Sequence, residues 1–323
     1  MLARLLSPNK HCEAVMGMLT EAILCGFAVP LAATVAWRLG IGSLAKRALG
    51  DRMGDGVSSA AVPIGLLAGC AAFSWLPILP KDSWQGAPYW CLLAAATELL
   101  LQQFKSDKKS SNAIRWAPRV GVAGLAAWVL VPSWPDLADS RSYWVLLLAA
   151  SILVLWGQSL AWKERSDDRP ALLSLMLAAQ AGAAVLYFSG IAKFAQLAGV
   201  LSAALLAEIL YSSWRGSFSR GSSSSRGSSS SRGSSSSRGF SGGMLGAGPA
   251  AAIFLPAMMI NGCLYTFSDV PGLCFLMVAA APLTLLLADL PPLRDWNPRP
   301  RLAVQTLLIL GTTLSAVMLA SFA

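Results

Sequence analysis

The sequence predicts an all-α protein, a polytopic integral membrane helical bundle of nine or ten transmembrane helices. Three observations carry that reading. Of 323 residues, 55% are hydrophobic and only 13% charged, against about one-quarter charged in soluble domains. The apolar residues gather into runs suited to crossing a hydrocarbon core of roughly 30 Å at about 1.5 Å per residue. Lysine and arginine collect in alternate segments between the runs, the mark of a chain threaded back and forth through a bilayer.

The first run is Val15–Trp37, preceded by Arg4 and Lys10. Small residues around Ala32–Ala36 imitate a signal-peptidase site, but the run is long for a signal peptide. Four more follow at Val57–Leu79, Pro88–Phe104, Val120–Val131 and Tyr143–Trp162, of which Val120–Val131 needs its flanks to span. A hairpin lies at the centre of the chain, with runs Ala171–Phe188 and Ile191–Tyr211 separated by Ser189 and Gly190. It leads into the tract Arg215–Gly243, where RGSSSS occurs three times from Arg220, Arg226 and Arg232. Such a segment has almost nothing to bury and is expected to be disordered. Met244–Phe267, Pro271–Leu290 and Leu302–Ala323 complete the set. The predicted division is therefore a seven-span unit in residues 1–212, a disordered loop in 213–243 and a three-span unit in 244–323.

Counting cations tests the threading. Arg38–Gly56, Lys105–Arg119, Lys163–Pro170, Arg215–Gly243 and Pro291–Arg301 hold four, five, three, five and three Lys or Arg. The alternate segments hold two in the N-terminal tail, one at Lys81, one at Arg141 and none elsewhere. By the positive-inside rule the rich segments face the cytoplasm, which puts both termini outside and the Arg/Gly/Ser loop inside. The expected location is a bacterial plasma membrane. Trp75, Trp84, Trp90, Trp134 and Trp144 mark outer borders and Trp37, Trp162 and Trp214 inner ones, the headgroup depth that amphipathic rings prefer. Trp128 departs from this pattern, well inside the fourth run.

The net charge of +9 sits in short loops beside apolar runs. No segment outside the runs is large enough for a folded basic groove, so no nucleic acid partner is expected. The six cysteines show no CxxC and lie mostly in or beside apolar runs, where thiols behave as small hydrophobes. The single histidine, His11, precedes the first run beside Cys12 and Glu13, too sparse a set for a metal site. No P-loop, HExxH or GxSxG occurs, and Gly54–Gly56 reads as a loop turn. No cofactor is expected, and no feature asks for an enzyme.

Intramembrane polar groups are better evidence, because each charge costs at least a few kcal/mol unless paired or wetted. Glu98 lies nine residues past Tyr89, about 14 Å deep by helical rise and near the midplane, which makes it a candidate proton carrier. Lys193 and Glu21 both lie toward the outer side, at depths that allow them to pair across helices. Glu208 lies toward the inner side, fifteen residues and about 22 Å from Lys193 along its helix. Gln180, Gln196 and Asn261 add amides at depth. The plain reading of these groups is snorkelling and interhelical glue. Gly65/Gly69, Ala178/Gly182 and Gly199/Ala203 allow close helix approach, and Pro30, Pro63, Pro249, Pro256 and Pro282 are expected to kink or interrupt their runs.

The leading functional expectation is a permease for a small molecule or ion, with Glu98 as coupling residue. The rival is a non-catalytic subunit or scaffold with a membrane protein partner. A lipid-modifying enzyme comes third, resting on Asp136 and Asp139 in an outer loop. In each case the lipid bilayer is the surrounding medium.

Overall fold

The computed structural model describes residues 20–76, 80–103, 112–163, 169–221, 243–266, 268–289 and 298–323, and among them every regular element is helical. Eleven α-helices follow in order: α1 Val29–Leu39, α2 Ile41–Ser59, α3 Ala61–Ala72, α4 Ala87–Gln103, α5 Asn112–Leu130, α6 Arg141–Lys163, α7 Arg169–Phe188, α8 Ala192–Gly221, α9 Gly243–Tyr265, α10 Gly272–Ala280 and α11 Pro298–Ser321. Seven stretches are long and apolar enough to cross a membrane: Thr20–Gly50, Gly54–Ala72, Arg141–Trp162, Arg169–Phe188, Ala192–Trp214, Met244–Tyr265 and Ala303–Ser321. The all-α bundle is as predicted, and its seven apolar helices are those of an integral membrane protein.

The other three predicted runs are helical too. α4 has 17 described residues, and residues 104–111 beyond it lie outside the described residues. α5 has 19 and carries Arg115 and Arg119 in its first half. The ninth run changes character at Pro282: α10 ends at Ala280 and residues Ala281–Asp289 tighten into a 3-10 helix. Proline lacks the N–H that would continue an α-helical ladder. Pro30 follows a π-turn at Leu24–Ala28, a bulge that absorbs the same missing bond. Pro63 sits harmlessly in the first turn of α3, while Pro249 and Pro256 lie inside a continuous α9.

The predicted loop Arg38–Gly56 is helix for most of its length. The chain turns at Gly40 and then at Gly50, whose φ of +79° only glycine adopts cheaply. The predicted turn at Gly54–Gly56 is therefore wrong, because both glycines are inside α2 at close approaches to Lys46 and Leu99. Lys46 and Asp55 form an ion pair across this bend. The central hairpin closes at Ser189–Gly190, again through a glycine at φ +79°. α8 then runs on to Gly221, past Tyr211 and into the tract predicted to be disordered; residues 222–242 lie outside the described residues.

α9 is the centre of the molecule. Of its apolar stretch, 89% is buried inside the protein, against 17% for the first helix and 28% for α11. It packs on α4, α6 and α7 and touches α3, α5 and α8 as well. Gly65 and Gly69 supply the close approach foreseen for them: a Cβ on Gly65 would stand 2.0 Å from Thr34 Oγ1, and one on Gly69 2.5 Å from a Val200 methyl. α3 thereby nests against α1 and α8. Gly182 meets Met259 of α9, whereas Gly199 faces open space.

Candidate functional site

Among the described residues two carboxylates lie inside the bundle, and each is met by an arginine from a neighbouring helix. Glu98 and Glu208 are each 2% exposed, Arg38 is 6% and Arg119 8%. In water such pairs contribute little. Here neither partner reaches solvent freely, so each charge depends on the other.

Glu98 on α4 receives Arg119 Nε at 2.5 Å and Arg119 Nη2 at 3.1 Å from α5. Trp156 on α6 donates its indole N–H to the same carboxylate at 2.8 Å. Arg119 Nη1 donates to the Arg115 carbonyl at 3.1 Å, and the guanidinium lies 5.2 Å from the Trp116 ring centre. Three helices thus meet on one buried carboxylate. Glu208 on α8 accepts both Nε, at 2.8 Å, and Nη2 of Arg38 from α1. Arg38 Nη1 donates to Ser58 Oγ on α2 at 2.8 Å, and Tyr211 lies 5.7 Å from the guanidinium. Both knots are at the end of the bundle that carries the basic segments.

The sequence places Glu98 near the midplane and names no partner for it; in the structure Arg119 and Trp156 hold its carboxylate. Arg38 and Arg119 were counted as loop cations, but both are helical, because the helices extend further than their apolar runs. The signal that would have found them is simple. A carboxylate inside a span needs a cation within reach, and these are the first cations beyond the neighbouring runs. Trp156 gave no such signal, since an indole in an apolar run reads as packing.

The remaining candidates are scattered. Lys193 and Glu21 are both exposed and form no ion pair with each other, so the cross-helix contact that their depths allow is not made. Gln180 is exposed and Gln196 half-buried. Asn261 is fully buried on α9 and donates to the carbonyls of Ala257, at 2.8 Å, and Leu130, at 3.1 Å, while its Oδ1 finds no donor. It pins the far end of α5 to the central helix. Asp136 and Asp139 are exposed, and among the described residues no group of three or more His, Cys, Asp or Glu is placed to hold a metal ion. His11, Cys12 and Glu13 lie outside the described residues.

At the end opposite the ion pairs is a cavity of about 310 Å³, lined by Lys81, Asp82, Ser83, Trp128, Val129 and Arg141 among others. Trp128, out of place in the sequence reading, lies in the last turn of α5, because that helix starts at Asn112 and ends at Leu130. Arg141 lies 4.4 Å from its ring centre and donates to its carbonyl at 2.9 Å. Above α9, Trp134, Tyr265, Phe194 and Trp84 form an edge-to-face chain with ring centres 4.4 to 5.5 Å apart. The chain matches no known protein family, no curated protein and no solved structure.

Proposed function

We propose that the protein is a permease for a small polar solute, and that α5 and α6 are its moving pair. One observation carries this reading. The same two helices hold the cavity at one end, through Trp128, Val129 and Arg141, and the Glu98 knot at the other, through Arg119 and Trp156. Arg141 and Trp156 are fifteen residues apart, about 22 Å along α6, so the two features sit near opposite faces of a bilayer. A tilt of this pair that closes the cavity pulls on the ion pair, and the converse also holds. Alternating access needs that kind of two-ended element.

Positive-inside counting makes the cavity end external and the ion-pair end cytoplasmic. Solute then enters above Leu130 and leaves after Arg119 separates from Glu98. A carboxylate left alone in that interior must be met by a proton or another cation. That requirement couples movement to an ion, and it keeps Glu98 as the coupling residue.

Proteoliposomes containing a pH-sensitive dye test this by a screen of small solutes. At least one solute is expected to shift lumenal pH with the wild type, and Glu98→Gln should abolish the shift. An unchanged shift in Glu98→Gln would remove Glu98 from the mechanism. The scaffold reading draws on the low burial of the first helix and α11, faces open to lipid or to a partner. A stoichiometric partner in mild detergent, with no solute moved by the isolated chain, would favour it.

A further inference from the structure

The cavity at the sparsely basic end has a composition that the permease reading does not explain. Between the spans, the sequence places two cations on that side, Lys81 and Arg141, in loops sixty residues apart. The fold brings both to the same wall-lined space. Neither forms an ion pair among the described residues. Acids are near: Asp136 and Asp139 precede Arg141 in sequence, and Asp82, which follows Lys81, lines the cavity itself and leaves its two cations in excess by one.

Asp82 is already engaged. Its side chain caps the 3-10 turn Ser83–Gly86, and Gln85 answers by bonding the backbone N–H of Asp82, the reciprocal arrangement of a capping box. Gln85 Nε2 also donates to Asp82 Oδ2 at 3.3 Å. Arg141 is held in place by Trp128, through its carbonyl and its ring, while its Nε finds no acceptor. It is moreover the first residue of α6, where the helix dipole already presents positive charge. A cation there is unfavourable by itself and favourable beside a bound anion.

We propose that this cavity is a binding site for a small phosphate-bearing anion, with Arg141 and Lys81 as its two charged contacts. The proposal rests on the permease reading only in naming that solute as the cargo; binding itself does not depend on it. Two unpaired cations suit a phosphate, which presents several acceptor oxygens and up to two charges. The volume is at the lower bound of small-molecule pockets, which suits a phosphate ester of a few carbons. The apolar side, Trp128 and Val129, also fits the glycerol end of a phospholipid head group, so the phosphate has two sources.

Calorimetry on the full chain in nanodiscs separates them. In phosphatidylcholine discs, inorganic phosphate and glycerol 3-phosphate are titrated into wild type, Arg141→Gln and Lys81→Gln. Saturable binding that weakens about tenfold or more in each variant supports a soluble phosphate. If those titrations are silent, discs containing phosphatidylglycerol are compared by lipid mass spectrometry. Retention of that lipid by the wild type and its loss from both variants supports the head-group source. Lys81 is exposed and unpaired, so Lys81→Gln tests the site even where Arg141→Gln unfolds. Neither ligand bound, or both bound equally by Lys81→Gln and wild type, overturns the proposal. Binding without any flux would leave this site standing and remove the permease reading.

Discussion

Replacing Arg38 by alanine is expected to cost about 3–5 kcal/mol, because it leaves Glu208 without its partner inside the bundle. Two guanidinium contacts and the Ser58 bond disappear together, so α1, α2 and α8 lose their shared anchor. A surface ion pair would lose less than about 1 kcal/mol on the same change. The double variant Arg38→Met with Glu208→Met separates the cost of a lone charge from the value of the pair. It should recover most of the loss, since apolar replacements of a buried pair are often neutral. Equilibrium unfolding in mixed micelles reads both quantities. A single variant costing under 1 kcal/mol, or a double variant no better than the single, would show that Glu208 reaches water after all.

The second large effect concerns a glycine. A Cβ on Gly246 would stand 1.9 Å from the Ser59 carbonyl oxygen and 2.7 Å from its carbon. Both atoms are backbone, so no side-chain rotation can relieve the clash. Gly246→Ala must separate the start of α9 from the junction of α2 and α3, at a cost of about 3 kcal/mol, the upper end for overpacking. Gly199→Ala is the control, because nothing lies within 4 Å of its Cβ position. That change should stabilise α8 by about 0.5–1 kcal/mol through backbone entropy. Unfolding midpoints that fall for the first and rise for the second would bear out the packing. Equal shifts in the same direction would contradict it.

Much of the fold was legible in the sequence because lipid imposes it. A backbone in hydrocarbon must bond to itself, so an apolar run of sufficient length becomes a helix. The hairpin at Ser189–Gly190 and the packing of Gly65 and Gly69 follow from the same residues that announced them. Hydropathy fails where helix outlasts apolarity. Asn112–Pro118 is polar enough to read as loop, yet it belongs to α5, and that misplacement hid Arg119 from Glu98. Arg38 was hidden from Glu208 in the same way. Pairing across 170 residues leaves no local trace, since it depends on which helices become neighbours. Lys193 and Glu21 seemed apt partners by depth alone, but depth says nothing about which face a side chain occupies. The meeting of Lys81 and Arg141 was likewise invisible, because two short loops carry no record of being adjacent.

The position of α9 has a consequence for how the molecule is made. It leaves the ribosome after α1 to α8, yet it fills the middle. Earlier helices must therefore wait in the membrane with a vacant slot among them. Each apolar helix is stable in lipid before it finds its neighbours, so association can be a separate and later event. Residues 1–221 and 243–323, expressed as two chains, should then reassemble in the same membrane and co-purify through α9.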